Sequence, residues 1–142
     1  MAYASTTKFG GTGGDPFQDD LTQVCRLAGI NIRSGKRIDQ IQAVWEYPDG
    51  TRVNGPAHGG TGGAAATITL KPGDTIVRVD LRSGEKVDQL TFYTNTGTKF
   101  GPYGGEGGSP KSLTGLVAVT GFVGRSGEEV DQIGFWTPAK CP

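Results

Sequence analysis

Apolar and charged residues alternate strictly through Val77-Arg78-Val79-Asp80-Leu81-Arg82, the period of an antiparallel strand with one face in a core and the other in water. The same even spacing recurs at Ile41, Ala43 and Trp45, at Leu90 and Phe92, and at Ile133 and Phe135. Each of these runs follows an aspartate, Asp39, Asp88 or Asp131, at the same even spacing. The alternation therefore places each aspartate on the apolar strand face, at the end where the strand meets a loop. Asp49-Gly50 and Thr96-Gly97 read as hairpin turns, with glycine supplying the positive φ that tight primed turns need. No stretch keeps a 3.6-residue apolar period long enough for a helix. The pattern predicts an all-β chain.

The strands are threaded by a repeat. Arg33-Ser34-Gly35-Lys36-Arg37-Ile38-Asp39-Gln40 returns as Arg82-Ser83-Gly84-Glu85-Lys86-Val87-Asp88-Gln89 and as Arg125-Ser126-Gly127-Glu128-Glu129-Val130-Asp131-Gln132. A second motif keeps step with it: Phe9-Gly10-Gly11-Thr12-Gly13-Gly14, His58-Gly59-Gly60-Thr61-Gly62-Gly63 and Tyr103-Gly104-Gly105-Glu106-Gly107-Gly108. The period is close to a third of the 142 residues, so residues 1–142 read as one domain built of three units. Open sheet edges invite aggregation, and packing three equal sheets about a common core is an economical use of a triplicated sequence. A three-sheet prism and a threefold barrel both fit this spacing. Trp45 and Trp136 lie in strand patterns and read as core or sheet surface.

Composition narrows the function more than the fold. A chain of this length buries roughly 68–70% of the surface its unfolded form exposes. Glycine, at 25 of 142 residues, far exceeds the usual ~7%, yet it clusters between apolar runs and so serves loops. Fourteen basic and fourteen acidic residues cancel, which removes the long-range attraction that draws proteins to nucleic acid or anionic membranes. No apolar run is long enough to cross a bilayer, and Met1-Ala2-Tyr3-Ala4-Ser5 lacks the basic start and apolar stretch of a signal peptide. The expectation is a chain that is cytoplasmic as synthesised, without membrane insertion, and released, if at all, by another route. Cys25 and Cys141 suit no zinc site and read as buried or incidental thiols, the alternative being one bridge from the last strand to an early one. His58 is the single histidine, which excludes a histidine-cluster metal site and weakens a histidine-dependent catalytic reading. Neither a metal nor a cofactor is expected.

The glycine loops resemble phosphate cradles, but no Gly-Lys-Ser/Thr and no helix follows any of them. Glycine pairs do let backbone N–H groups approach a ligand closely. The Gly-x-x-x-Asp turn adds two amides and a carboxylate that accepts two hydrogen bonds. A partner that both donates and accepts at neighbouring atoms has vicinal hydroxyls, which describes a sugar. The plain alternative for any one aspartate is a turn cap bonded to its own backbone. Three aspartates at one offset favour a shared ligand role. Phe9, His58 and Tyr103, each preceding a glycine loop, are placed either to stack on a sugar or to pack under the loop, with packing favoured for Phe9.

Tyr93-Thr94-Asn95-Thr96-Gly97, Gly101-Pro102-Tyr103-Gly104 and Gly124 to Gly134 around the third turn resemble the signature segments of jacalin-related lectins, and the resemblance spans essentially the whole chain. It implies a β-prism I fold of three four-stranded Greek-key sheets about a pseudo-threefold axis, with carbohydrate held by loops at one end. Carried over, Gly14, Glu128 and Glu129 offer N–H groups and Asp131 grips two sugar hydroxyls. By the same pairing Gly63 joins Lys36, Arg37 and Asp39, and Gly108 joins Glu85, Lys86 and Asp88. Unit one departs in having a longer run from its aspartate to its glycine loop than unit two. The uncut segment before the first glycine loop resembles the mannose-binding branch. The expected partners are mannose- or glucose-containing glycans and glycoproteins, not nucleic acid, and a homo-oligomer is compatible with this. Two other classes stand beside the lectin reading: a structural or protein-interaction prism with degenerate sugar sites, and a glycosidase. The last needs a second acid beside each aspartate, where unit one carries Lys36 and Arg37 instead.

Overall fold

The computed structural model describes residues 3–141. Met1 and Ala2, part of the segment read against a signal peptide, lie outside that range, as does Pro142. Fourteen strands and no helix occur among the described residues. Three antiparallel hairpins form the frame: β4 (Arg26–Ser34) with β5 (Ile38–Glu46), β9 (Ile76–Ser83) with β10 (Val87–Thr94), and β13 (Gly121–Ser126) with β14 (Val130–Thr137). Each hairpin is closed by one of the three Arg-Ser-Gly turns.

Each hairpin gains a strand on both sides, which makes three separate sheets. β3 (Asp15–Gln18), β8 (Ala64–Thr69) and β12 (Ser109–Leu113) pair with β13, β4 and β9. The other edges are β11 (Lys99–Gly104) on β10, and two broken edges: β1 (Ala4–Ser5) with β2 (Phe9–Gly10) on β14, and β6 (Arg52–Asn54) with β7 (His58–Gly59) on β5. The longer run of unit one is therefore spent on its interrupted edge. Each glycine loop joins the two edges of one sheet, β2 to β3, β7 to β8 and β11 to β12, and must cross the end of the hairpin between them. That crossing brings glycine loop and aspartate turn together.

The three central strands β5, β10 and β14 touch one another along the axis. There Ile41, Leu90 and Ile133 are fully buried, and Phe135 meets Phe92 and Phe122 edge to face at centroid distances of 6.4 and 5.9 Å. Burying such a side chain contributes about 1.5–3 kcal/mol, so the even-numbered and odd-numbered apolar series predicted from alternation are what hold the sheets together. Trp45 is in this core, and its indole N–H donates to the Thr120 carbonyl at 2.8 Å, joining two sheets.

Several local expectations change. In the Asp49-Gly50 turn the Gly50 N–H donates to the Tyr47 carbonyl, so the central residues are Pro48 and Asp49 and Gly50, at φ 86°, follows them. Gly97 does the same after Asn95 and Thr96. These are wider turns than the primed type, with glycine taking up the positive φ where the chain re-enters the strand. Alternation also slips at one end of β9: a bulge between the pairs Tyr93–Arg78 and Thr94–Ile76 turns Ile76 inward and leaves Val77 half-buried. The reading of Cys25 and Cys141 as thiols is corrected, since they form a disulfide with a Cα separation of 4.9 Å. The Cys141 N–H also donates to the Cys25 carbonyl, so the closing segment is laid against the start of β4, a juxtaposition that spacing cannot reveal.

Candidate functional site

The arginine and aspartate of each repeated turn, and the glutamine of two of them, have a task at the end of the sheet. The ladder pairs Ser34–Ile38 and Arg33–Gln40, with nothing opposite Asp39; it skips Asp88 between Val87 and Gln89, and Asp131 between Val130 and Gln132. Each site aspartate is thus the extra residue of a β-bulge, a device that re-aims a side chain at a sheet end. The bulge frees its carbonyl, which accepts the N–H of the crossing loop: Gly60 to Asp39, Gly105 to Asp88 and Gly11 to Asp131, all at 2.8–2.9 Å. The turn arginine clamps the same loop from the other side. Arg33 donates to the Gly62 and Gly63 carbonyls, Arg82 to those of Gly107 and Gly108, and Arg125 to those of Gly13 and Gly14. Gln40 and Gln89 add bonds to the Gly60 and Gly105 carbonyls.

The clamped loop lies against the carboxylate. A Cβ on Gly13, Gly62 or Gly107 would fall 2.7–2.9 Å from Oδ1 of Asp131, Asp39 or Asp88. On Gly14, Gly63 or Gly108, with φ of 68°, 71° and 68°, it would meet the other oxygen at 2.6–2.7 Å and a turn serine carbonyl at 2.5–2.7 Å. Only glycine fits both the space and the conformation. The geometry is the same in all three units, unit one included.

None of the three carboxylates caps its own turn. Among the described residues, the one hydrogen bond made to any of them comes from Lys86, to Asp131. The amides of Lys36, Arg37, Glu85, Lys86, Glu128 and Glu129 likewise find no protein acceptor there. The structure therefore brings together every residue grouped from sequence: Gly14 with Asp131 and its turn, Gly63 with Asp39, and Gly108 with Asp88. Asp88 and Asp131 are buried and Asp39 half-buried. Burial raises the Asp39 pKa above the usual carboxylate range, helped by the charge of Glu129 and opposed by Arg33. The Asp88 end opens into a cavity of about 280 Å³, with room for a small polar ligand.

Of the rings before the loops, His58 is engaged within the protein and the other two are partly buried. His58 is buried, its Nε2 lies 2.7 Å from Asp19 Oδ1, and Phe17 stacks on it at 3.8 Å. Asp19 in turn accepts the Phe122 N–H, so His58 pins two sheets together. Phe9 and Tyr103 pack against the core, and burial raises the Tyr103 pKa. The arginine clamp and the bulge escaped the sequence reading, although an arginine repeated at one offset from each glycine turn was a usable signal.

Residues 6–136 match the family described as the jacalin-like lectin domain. The chain belongs to that family. Griffithsin from Griffithsia sp. is 37% identical over 127 residues, covering 89% of this chain and 90% of the relative. A mannose-binding jacalin-related lectin from Ananas comosus superimposes with a TM-score of 0.84 at 30% identity, covering 94% of this chain and 96% of that one. Artocarpin in its mannotriose complex gives 0.86 at 27% identity, over 97% and 99%. The three sheets are the β-prism I of these jacalin-related lectins, and of the two architectures left open by the repeat, the prism is the one adopted. The three glycine loops of this chain meet at one end of the prism, Gly11 abutting Glu85, Gly60 abutting Glu128 and Gly105 abutting Lys36.

Proposed function

We propose that the chain is a non-enzymatic lectin that binds mannose- or glucose-type residues at three sites on one end of the prism. The observation that carries this reading is the set of three bulged aspartates whose carboxylates make no bond to their own turns, each laid against a clamped glycine loop and next to unpaired turn amides. A carboxylate accepting from two adjacent hydroxyls while amides donate to their oxygens reads the configuration at those carbons. An epimer leaves a buried polar group unpaired, at a cost of about 1–3 kcal/mol. Relatives described as mannose-binding support the choice of sugar. The alternative of a glycosidase asks for a second acid at each aspartate, and the Asp39 turn presents Lys36 and Arg37 in that place.

The reading includes one domain over the whole chain and a life outside the cytoplasm in which it is made, because a bond such as Cys25–Cys141 persists in oxidising surroundings. Titration calorimetry with methyl α-mannoside against methyl α-galactoside is the test. Three mannosides per chain and little galactoside are expected. Equal uptake of the two, or none of either, would refute the proposal, and release of free sugar from an oligomannose would move it to the glycosidase.

A further inference from the structure

The three sites are built alike but are not electrically alike. The glycine loop of each sheet also abuts a turn of the next: Gly11 lies against Glu85, Gly60 against Glu128 and Gly105 against Lys36. These contacts close a ring, so the side chain two places after each turn glycine leaves its own site and reaches a neighbour's. Lys86 Nζ lies 2.9 Å from Asp131 Oδ1 and 3.7 Å from Glu129 Oε1. Arg37 lies 3.7 Å from Asp88 Oδ1 and 3.5 Å from Glu129 Oε1. Glu129 completes the circuit by acting through its charge on Asp39.

One residue therefore serves two sites, its amide facing one and its charge the other. Asp131 has an oxygen taken by an ammonium, Asp88 faces a looser guanidinium, and Asp39 faces a like charge. Resting on the lectin reading above, we propose that Lys86 masks the Asp131 site and sets its affinity: a sugar must displace the ammonium before the carboxylate can accept both hydroxyls. The Asp131 side chain is only 6% exposed and that of Lys86 34%, so the displaced cation regains water more easily than the carboxylate does. The mask should make this site the weakest of the three and the one that salt strengthens, since salt screens the pair.

The experiment uses chains with one working site. With Asp39→Asn and Asp88→Asn in place, methyl α-mannoside is titrated by NMR into chains carrying Lys86, Lys86→Met or Lys86→Arg, at low and high salt. Lys86→Met should tighten binding roughly 2–5-fold, the range expected for a partly exposed pair worth up to about 1 kcal/mol. Lys86→Arg should stay near the weaker value, and added salt should narrow the gap between Lys86 and Lys86→Met. Unchanged binding in Lys86→Met would overturn the mask, and weaker binding would make Lys86 a direct sugar contact instead. Either result leaves the lectin reading intact, because the unsubstituted chain, titrated alongside, reports on that reading by itself; its failure to bind overturns both.

Discussion

An aspartate at the end of a strand ordinarily turns its carboxylate back on its own amides, and the three that matter here do not. Each is held in a bulge by the carbonyl it gives to a glycine loop, and its two carboxylate oxygens lie against that loop. Asn keeps the shape but replaces one acceptor with a donor, so Asp88→Asn and Asp131→Asn should each reduce the methyl mannoside stoichiometry by one while the melting temperature holds. Unchanged stoichiometry in both would mean that these turns are structural. Asp39 adds a pH dependence. Its carboxyl is raised by burial and by Glu129, and the protonated form is a poorer acceptor. Binding at the Asp39 site should thus fade, as pH drops, while still above the ordinary range near ~3.9. Glu129→Gln removes the like charge, lowers the Asp39 pKa and should carry the loss to lower pH. Titrating a chain with Asp88→Asn and Asp131→Asn at several pH values would show the shift or its absence.

At the scale of the element, the site is a loop strapped over a hairpin. Gly14→Ala introduces a Cβ 2.5 Å from the Ser126 carbonyl at a φ of 68°, and the left-handed conformation alone costs about 1–2 kcal/mol for a residue with a Cβ. It should lose the Asp131 site and some stability together. Arg125→Ala removes only the donors to Gly13 and Gly14, so its mark should be a roughly 5–10-fold weaker Asp131 site, the equivalent of one net hydrogen bond of about 1–1.5 kcal/mol, with the fold little changed. Comparing the two variants by calorimetry and thermal melting separates strap from scaffold. The strap shows where sequence legibility ends. Alternation revealed the strands and the inward face that carries Asp39, Asp88 and Asp131, because burial imposes a period of two on side chains. The repeat revealed which loop goes with which turn, through the family resemblance. The bulges stayed hidden, since an unpaired residue is a property of the partner strand's register and both Ile38 and Asp39 look like ordinary strand residues. His58 stayed undecided between stacking and packing for a related reason: its partners Asp19 and Phe17 come from another sheet, and no local pattern announces them.

On the scale of the whole molecule, one end of the prism is stapled and the other is left to bind. The Cys25–Cys141 bond, spanning 116 residues, ties the segment after β14 to the start of β4, away from the turn that follows the last residue of β4. Closing so long a loop restricts the unfolded chain by about 4–5 kcal/mol in the chain-entropy account. Reduction should lower denaturant stability by about 2–5 kcal/mol and leave mannoside affinity unchanged. The binding end then acts through number. A shallow site with few hydrogen bonds should hold a monosaccharide at about millimolar, roughly −4 kcal/mol, since ordering and desolvation offset most of the contact energy. The three proposed sites share one face, where each glycine loop touches the neighbouring turn. A branched glycan that spans two of them makes its second contact intramolecularly, which can raise apparent affinity ~10²–10⁴-fold with no new kind of contact. The expected outcome is agglutination of mannose-bearing particles by a chain shown to be monomeric in sedimentation, lost when Asp39 and Asp88 are both changed to Asn although monosaccharide binding at Asp131 persists. Agglutination surviving in that double variant would place the cross-linking in the association of chains, and the three-site face would not be its cause.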